Sequence, residues 1–174
     1  RCRDGAAQIN LLLNRASPWL DIESYLPYEG KVVIRNKSAR TLMIRIPRWV
    51  DKKQVQCRVG EREVPYFWNN QYLGLTELKK GEVITVTFPM HQRTETWYML
   101  PYETSPRWFK ETDKLPKYVL HFKGNTCVKA EFPNKEQFGG NDFNYPCYQR
   151  DHYLHDKAPM IEVERYVAQE LVAW

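Results

Sequence analysis

The sequence predicts an all-β protein: an antiparallel β-sandwich, jelly-roll-like, with an irregular, partly β C-terminal extension. Three observations lead there. Apolar and polar residues alternate in short runs, while helical periodicity is hard to find anywhere in the 174 residues. Turn-forming residues separate those runs after every few positions. The composition, 43% hydrophobic and 27% charged, suits a folded chain able to bury a core without disulfides.

The elements follow in order. Residues 8–13 form an apolar run, read as a first strand. In residues 31–35, Val32 and Ile34 share a face. In residues 41–46, Leu42, Ile44 and Ile46 point one way and Met43 and Arg45 the other. Residues 54–59 place Val55, Cys57 and Val59 inward. Residues 72–77 follow, and residues 82–88 set Ile84, Val86 and Phe88 against Thr85 and Thr87. This period of two is that of a half-buried strand. Turn signals lie between the runs at residues 27–30 and 36–38, Pro47, Gly60-Glu61, Asn69-Asn70 and Lys80-Gly81. Residues 1–98 are therefore expected to form the sandwich domain. Pro101, Pro106 and Pro116 mark residues 99–116 as an irregular connection. Residues 117–123 and 126–132, joined by Gly124-Asn125, read as a hairpin. Residues 133–160 read as loop, 161–167 as a last strand, and 168–174 as a short helical turn or tail. Residues 117–174 together are expected to be a β extension packing on the sandwich.

The net charge of +5 arises in residues 1–100, which hold 16 basic and 10 acidic residues. Arg35, Lys37, Arg40, Arg45, Arg48, Lys52, Lys53, Arg58 and Arg62 lie on successive strands and turns, as on the polar faces of sheets. Nucleic acid is therefore not the expected partner. A membrane is not expected either, since no apolar run reaches the ~18 residues a spanning helix needs. Cys2, Cys57, Cys127 and Cys147 make no C-x-x-C pair, which argues against a zinc ribbon or redox motif. Cys57, inside an alternating run, is expected to be a reduced core residue. The chain starts at Arg1 with no apolar leader, and we read that start as a cut within a longer protein. The sequence leaves its location open, the cytoplasm being slightly favoured.

Chemistry-bearing motifs are sparse. No Gly-rich phosphate loop, G-x-S-x-G elbow or H-E-x-x-H is present. Glu61 and Glu63 flank a tight turn, whereas glycosidase carboxylates face each other across a sugar-sized cleft, ~5–9.5 Å apart. They read as solvated hairpin residues. His152 and His155, with Asp151 or Asp156, have metal-ligand spacing only if helical, and Pro146 and Pro159 bracket them. No metal site is expected in the chain. His91 and His121 read as structural. Asn36-Lys37-Ser38 matches the N-glycosylation sequon, a triplet that also occurs by chance. The aromatic content, 6 Trp, 11 Tyr and 7 Phe, is the outlying figure. Aromatic faces stack on sugar C–H surfaces, and the run from Tyr66 through Tyr72 puts rings and amides around one hairpin. Tyr66, Trp68 and Tyr72 are the candidate carbohydrate-binding residues. Trp97-Tyr98 and Trp108-Phe109 are further candidates. Burial in the core or at an interface is the competing reading of all of them.

One stretch resembles a known family. "INLLLNRASPWLDIESYLPYEGKVVIRNKSARTLMIRIPRWV", residues 9–50, is similar to the region after the catalytic barrel in glycoside hydrolase family 127, the β-L-arabinofuranosidase-like proteins. The match rests most on "LMIRIPRWV" at 42–50. It continues through "CRVGEREV" at 57–64, "QYLGLTEL" at 71–78 and "KGEVITVTFPM" at 80–90. Beyond about residue 95 the likeness is loose, carried by "FKGNT" at 122–126 and "YQRDHY" at 148–153. The resemblance implies a C-terminal β-sandwich following an (α/α)-barrel that hydrolyses arabinofuranosides. In that family the zinc, the cysteine nucleophile and the glutamate acid/base all belong to the barrel. Their motifs, notably an adjacent Cys-Cys pair, do not occur here, so no catalytic residue carries over and Cys2 has no such role. Pro47 is expected to end a strand and Trp49 to pack on the sandwich edge or the barrel.

The expected function is thus a non-catalytic C-terminal fragment of a glycoside hydrolase that supports a barrel outside this chain. The alternative is a stand-alone carbohydrate-binding module. The expected partners are that upstream barrel and plant-type oligosaccharides. No cofactor is expected in this chain, zinc belonging to the barrel by resemblance.

Overall fold

Alternating sequence becomes paired strands across the computed structural model, which describes residues 2–98, 117–131 and 155–164. The chain divides into two units, Arg1–Met90 with Lys157–Trp174, and His91–Asp156. The described residues contain no α-helix; a 3-10 turn at Lys52–Gln54 is their helical element.

The first unit is a sandwich of two five-stranded sheets. Its strands are β1 (Cys2–Arg3), β2 (Ala6–Ile9), β3 (Leu20–Ser24), β4 (Lys31–Asn36), β5 (Thr41–Arg45), β6 (Gln56–Val59), β7 (Arg62–Glu63), β8 (Phe67–Asn69), β9 (Tyr72–Leu75) and β10 (Val83–Thr87). One sheet has the order β1-β2-β5-β9-β8 and the other β3-β4-β10-β6-β7. Both give their alternate residues to a single core. Ala7, Ile9, Leu42, Ile44, Leu73 and Leu75 come from the first sheet, and Ile22, Val32, Ile34, Cys57, Val59, Ile84 and Val86 from the second. The inward sets of β4, β5, β6 and β10 are those the alternation names.

Three features differ from the sequence expectation. β2 and β5 pair in parallel, Ile9 opposite Ile44, so the sandwich is not purely antiparallel. The chain leaves β2, builds the β3–β4 hairpin in the other sheet, and returns in β5 running the same way; a parallel pair needs such a long crossover. The strand expected at 8–13 is instead Ala6–Ile9. Pairing stops at Ile9, and Leu11 and Leu13 stand 68% and 61% exposed. Finally, β3 lies where no alternation marks it, because Leu20, Asp21, Ile22 and Ser24 are all buried. Asp21 is tolerated there because its carboxylate accepts from Lys37 Nζ at 2.7 Å and from the Ser17 N–H at 3.3 Å.

Strand ends have local causes. β5 stops before Pro47, which has no N–H to donate. Its last ladder bond comes from the Ile46 N–H to Gln71 O at 2.9 Å. Trp49 then packs against the core, its ring edge-on to Phe88 with centroids 5.6 Å apart. After β4, Asn36 is buried and its side chain closes the turn. Nδ2 donates to Ala39 O at 2.8 Å and Lys79 O at 2.9 Å, and Oδ1 accepts from the Ala39 N–H at 2.8 Å.

Cys57 is a free thiol in the core, and burial pushes its pKa up to about 12. A neutral, enclosed thiol is a poor nucleophile. Iodoacetamide at pH 8 should therefore leave Cys57 unmodified in the folded chain and alkylate it in urea, as read by peptide mass spectrometry. Modification of Cys57 in both conditions at equal rate contradicts the packing.

The second unit contains a three-stranded antiparallel sheet, β11 (Gln92–Tyr98), β12 (Lys117–Lys123) and β13 (Thr126–Glu131), in that order. The expected Gly124-Asn125 loop joins β12 to β13, with Gly124 at φ 60°. Only glycine takes that conformation freely at the first position of a two-residue turn. A register shift falls between His121 and Phe122. The connection expected at 99–116, Trp108, Phe109, residues 133–154 of the loop expected at 133–160 with His152 among them, residues 165–167, and the tail expected at 168–174 lie outside the described residues. Residues 161–164 have no strand pairing, which corrects the strand expected at 161–167 in its described part.

Candidate functional site

The hairpin β8–β9 carries the aromatic cluster, and period-two geometry divides it between two faces. Asn70 takes φ 53° in the turn, a left-handed conformation that asparagine tolerates. On the inner side, Tyr66 and Trp68 pack against the core and meet edge-to-face with centroids 6.0 Å apart. The Tyr66 hydroxyl donates to Val55 O at 2.8 Å. Lys52, presented by the 3-10 turn that Asp51 caps, donates to Asn70 O at 2.8 Å. Its ammonium also sits 5.2 Å from the centre of the Trp68 ring, in cation–π range. A sugar stacking on that side of Trp68 meets Lys52 first.

Tyr72 is on the opposite face. It stands across from Asn69 and Arg45, and its hydroxyl donates to Asn10 Oδ1 at 2.9 Å. The structure therefore brings Tyr66 and Trp68 together and sets Tyr72 apart from them.

Beside Tyr72 is an aromatic that the sequence reading passed over. Phe67 opposes Gly74, and a Cβ at Gly74 would lie only 2.3 Å from the Phe67 ring. The ring occupies the space a side chain would fill and remains 45% exposed. Met43 and Arg45 follow on the neighbouring strand, opposite Gly74 and Tyr72. Strict alternation along 66–69 carries this signal, since Phe67 must face away from Tyr66 and Trp68.

An open cleft of about 480 Å³ in this unit lies over the outer face of β3 and β4. Asn14, Glu23, Tyr25 and Arg35 line it together with residues 160–164. Of the carboxylates that line it, Glu23 is engaged: it accepts from Arg35 Nε at 2.8 Å and Nη2 at 3.4 Å. Hydrogen bonding to Glu23 raises the pKa of the Arg35 guanidinium further above its ordinary value. Arg58 is likewise within 3.4 Å of Glu63, on the β6–β7 hairpin where Glu61 and Glu63 are exposed. Several of the basic side chains that make up the charge surplus are thus ion-paired.

Metal-ligating chemistry is not assembled in this part of the molecule. Among the described residues no three His, Cys, Asp or Glu side chains converge as a metal site. His155 is exposed, and His121 sits on β12.

Comparison with known proteins finds one family model, and it matches residues 8–90. It is described as "Beta-L-arabinofuranosidase, GH127 middle domain". That description names a middle domain, where the sequence reading expected a C-terminal one. No curated protein matches the chain. Among solved structures, a GH127 β-L-arabinofuranosidase from Geobacillus stearothermophilus aligns over 74% of this chain at 15% identity and a TM-score of 0.48. A GH127 β-arabinofuranosidase aligns over 66% at 22% identity and a TM-score of 0.43, and a glycoside hydrolase over 63% at 20% and 0.40. The chain spans only 21%, 19% and 18% of those three chains. What the comparisons establish is that the β-sandwich, over residues 8–90, is similar to the GH127 middle domain.

Proposed function

We propose that this chain is a non-catalytic β-sandwich portion of a glycoside hydrolase related to the β-L-arabinofuranosidases, and that it supports a catalytic barrel outside this sequence. The observation that carries the reading is the family match over residues 8–90, which runs from β2 through β10 and so spans almost the whole described sandwich. The chemistry of the sandwich agrees. Glu23 and Asp21 are held by Arg35 and Lys37, and Cys57 is enclosed and neutral. Such groups hold a scaffold together. Exposed Leu11, Leu13 and Phe67 offer apolar surface for a neighbouring domain. The test is a turnover assay of the purified, zinc-supplemented chain with an aryl β-L-arabinofuranoside. The expected result is no release above the uncatalysed rate. Release that a chelator abolishes overturns the reading.

A second reading is sugar binding at the β8–β9 hairpin, by Tyr66 and Trp68 on one face or by Tyr72 and Phe67 on the other, and the observation that favours it is the half-exposed Phe67 ring beside Tyr72. Calorimetry with arabino-oligosaccharides separates the two. On this reading Trp68→Ala weakens binding about tenfold or more, as loss of a stacking ring does. A loss confined to Phe67→Ala moves the sugar to the outer face, and no heat with any glycan removes the reading.

A further inference from the structure

The three-stranded sheet of the second unit holds a cavity with an unusual lining. Register places Gln92 opposite Lys123, and Thr94 opposite His121, which in turn opposes Lys129. These side chains line an open cavity of about 460 Å³ together with Arg93, Phe122 and Val128. No carboxylate lines it. The carboxylates that balance the cations sit to the side. Glu95 accepts from Arg93 Nε at 2.6 Å, and Glu131 pairs with Lys129. Both acids are held below the ordinary carboxylate range, Glu95 chiefly by the Arg93 hydrogen bond and Glu131 chiefly by that of Lys129.

Two groups on the wall are incompletely satisfied. Lys123 is only 5% exposed, yet its ammonium has three protons to place. It donates to His155 O at 3.0 Å and, at 3.4 Å, to Asp156, a carboxylate whose side chain is 95% exposed. Among the described residues the third proton has no acceptor. A buried cation so thinly compensated is costly. His121 is the second group. Its Nδ1 lies 3.3 Å from Thr94 Oγ1, while Nε2 is buried without a hydrogen-bond partner. Glu131 approaches that nitrogen to 3.3 Å, within ion-pair distance. An oxyanion in the cavity would accept from both.

We infer that this cavity is a binding site for a small ligand carrying an oxyanion, a phosphate ester or a sugar carboxylate. The anionic group is taken by Lys123, Lys129 and His121. Gln92 and Thr94 are placed for neighbouring hydroxyls, and Phe122 supplies apolar contact. The site belongs to the second unit and is independent of the function proposed for the sandwich.

The test uses the full chain, titrated separately with inorganic phosphate and with D-glucuronate, followed by calorimetry and amide chemical shifts. Saturable one-to-one binding is expected, with shifts centred on Thr94, His121 and Val128. Lys129→Met, at a half-exposed position that leaves the fold intact, should weaken binding about tenfold or more, as loss of a charge-assisted hydrogen bond does. Lys123→Met should do the same if it folds. Preference for phosphate identifies an ester, and preference for glucuronate a sugar acid. Absence of saturable binding by either probe overturns the site, as does binding that Lys129→Met leaves unchanged.

Discussion

Gly30→Ala is expected to cost the sandwich about 3 kcal/mol or more, the upper range for overpacking against fixed backbone. The added Cβ would lie 1.8 Å from Phe88 O and 2.9 Å from the carbonyl carbon. Neither partner can give way cheaply. The Phe88 N–H donates to Gly30 O at 2.8 Å, and the next pair of the ladder, Lys31 with Thr87, ties β4 to β10. The Phe88 ring is buried and meets Trp49. Relief would require breaking the ladder at its end or expelling an aromatic from the core. Gly60→Ala is the control: nothing lies within 4 Å of its Cβ, so only the left-handed φ of 58° opposes it. That strain is worth ~1 kcal/mol. Urea unfolding measures both, and a Gly30→Ala loss no larger than that of Gly60→Ala would falsify the close approach. Gly74→Ala should fall between them. Its Cβ meets the Phe67 ring, a half-exposed side chain that can swing aside.

Ile44→Ala should destabilise the protein by about 2–5 kcal/mol through lost transfer energy and the cavity left behind. Ile44 is fully buried on the central strand of its sheet, flanked by Ile9 on β2 and Leu73 on β9. Neighbours on two strands hold the walls apart, so little collapse can offset the void. Against a typical total of ~5–15 kcal/mol, that is a large share. Met43, one residue earlier on the outer face, is the control, and Met43→Ala should cost under about 1 kcal/mol. Equal midpoints for the two variants would mean that the inward face of β5 has been assigned to the wrong side.

How much of this was legible follows from burial on one face or two. β4, β5, β6 and β10 each bury one side more than the other, and their alternation names Val32, Ile34, Leu42, Ile44, Cys57, Val59, Ile84 and Val86 as core. β3 buries both sides, because Asp21 is drawn inside by Lys37, and so it carries no period to read. The apolar run at 8–13 misleads for the opposite reason: Leu11 and Leu13 are apolar yet exposed. Parallel pairing of β2 with β5 is set by a crossover between sheets, which no local pattern encodes. At the candidate site, composition picks out the aromatic hairpin, while strand register decides that Tyr66 and Trp68 face the core and that Phe67 and Tyr72 do not. The cavity of the second unit depends on three strands in register and on residue 155, so residue types alone do not reveal it.

The turn built by Asn36 turns a surface motif into a record of history. Both amide protons of that side chain are spent on Ala39 O and Lys79 O, inside a buried turn. An oligosaccharyltransferase needs that nitrogen free and accessible. Glycan at Asn36 would therefore be attached only to a chain that had not yet closed the turn, and the modified chain, left with one amide proton, would have to fold without at least one of those two hydrogen bonds. Occupancy of Asn36, wherever this chain is exposed to such an enzyme, reports the order of two events: glycosylation first, folding second.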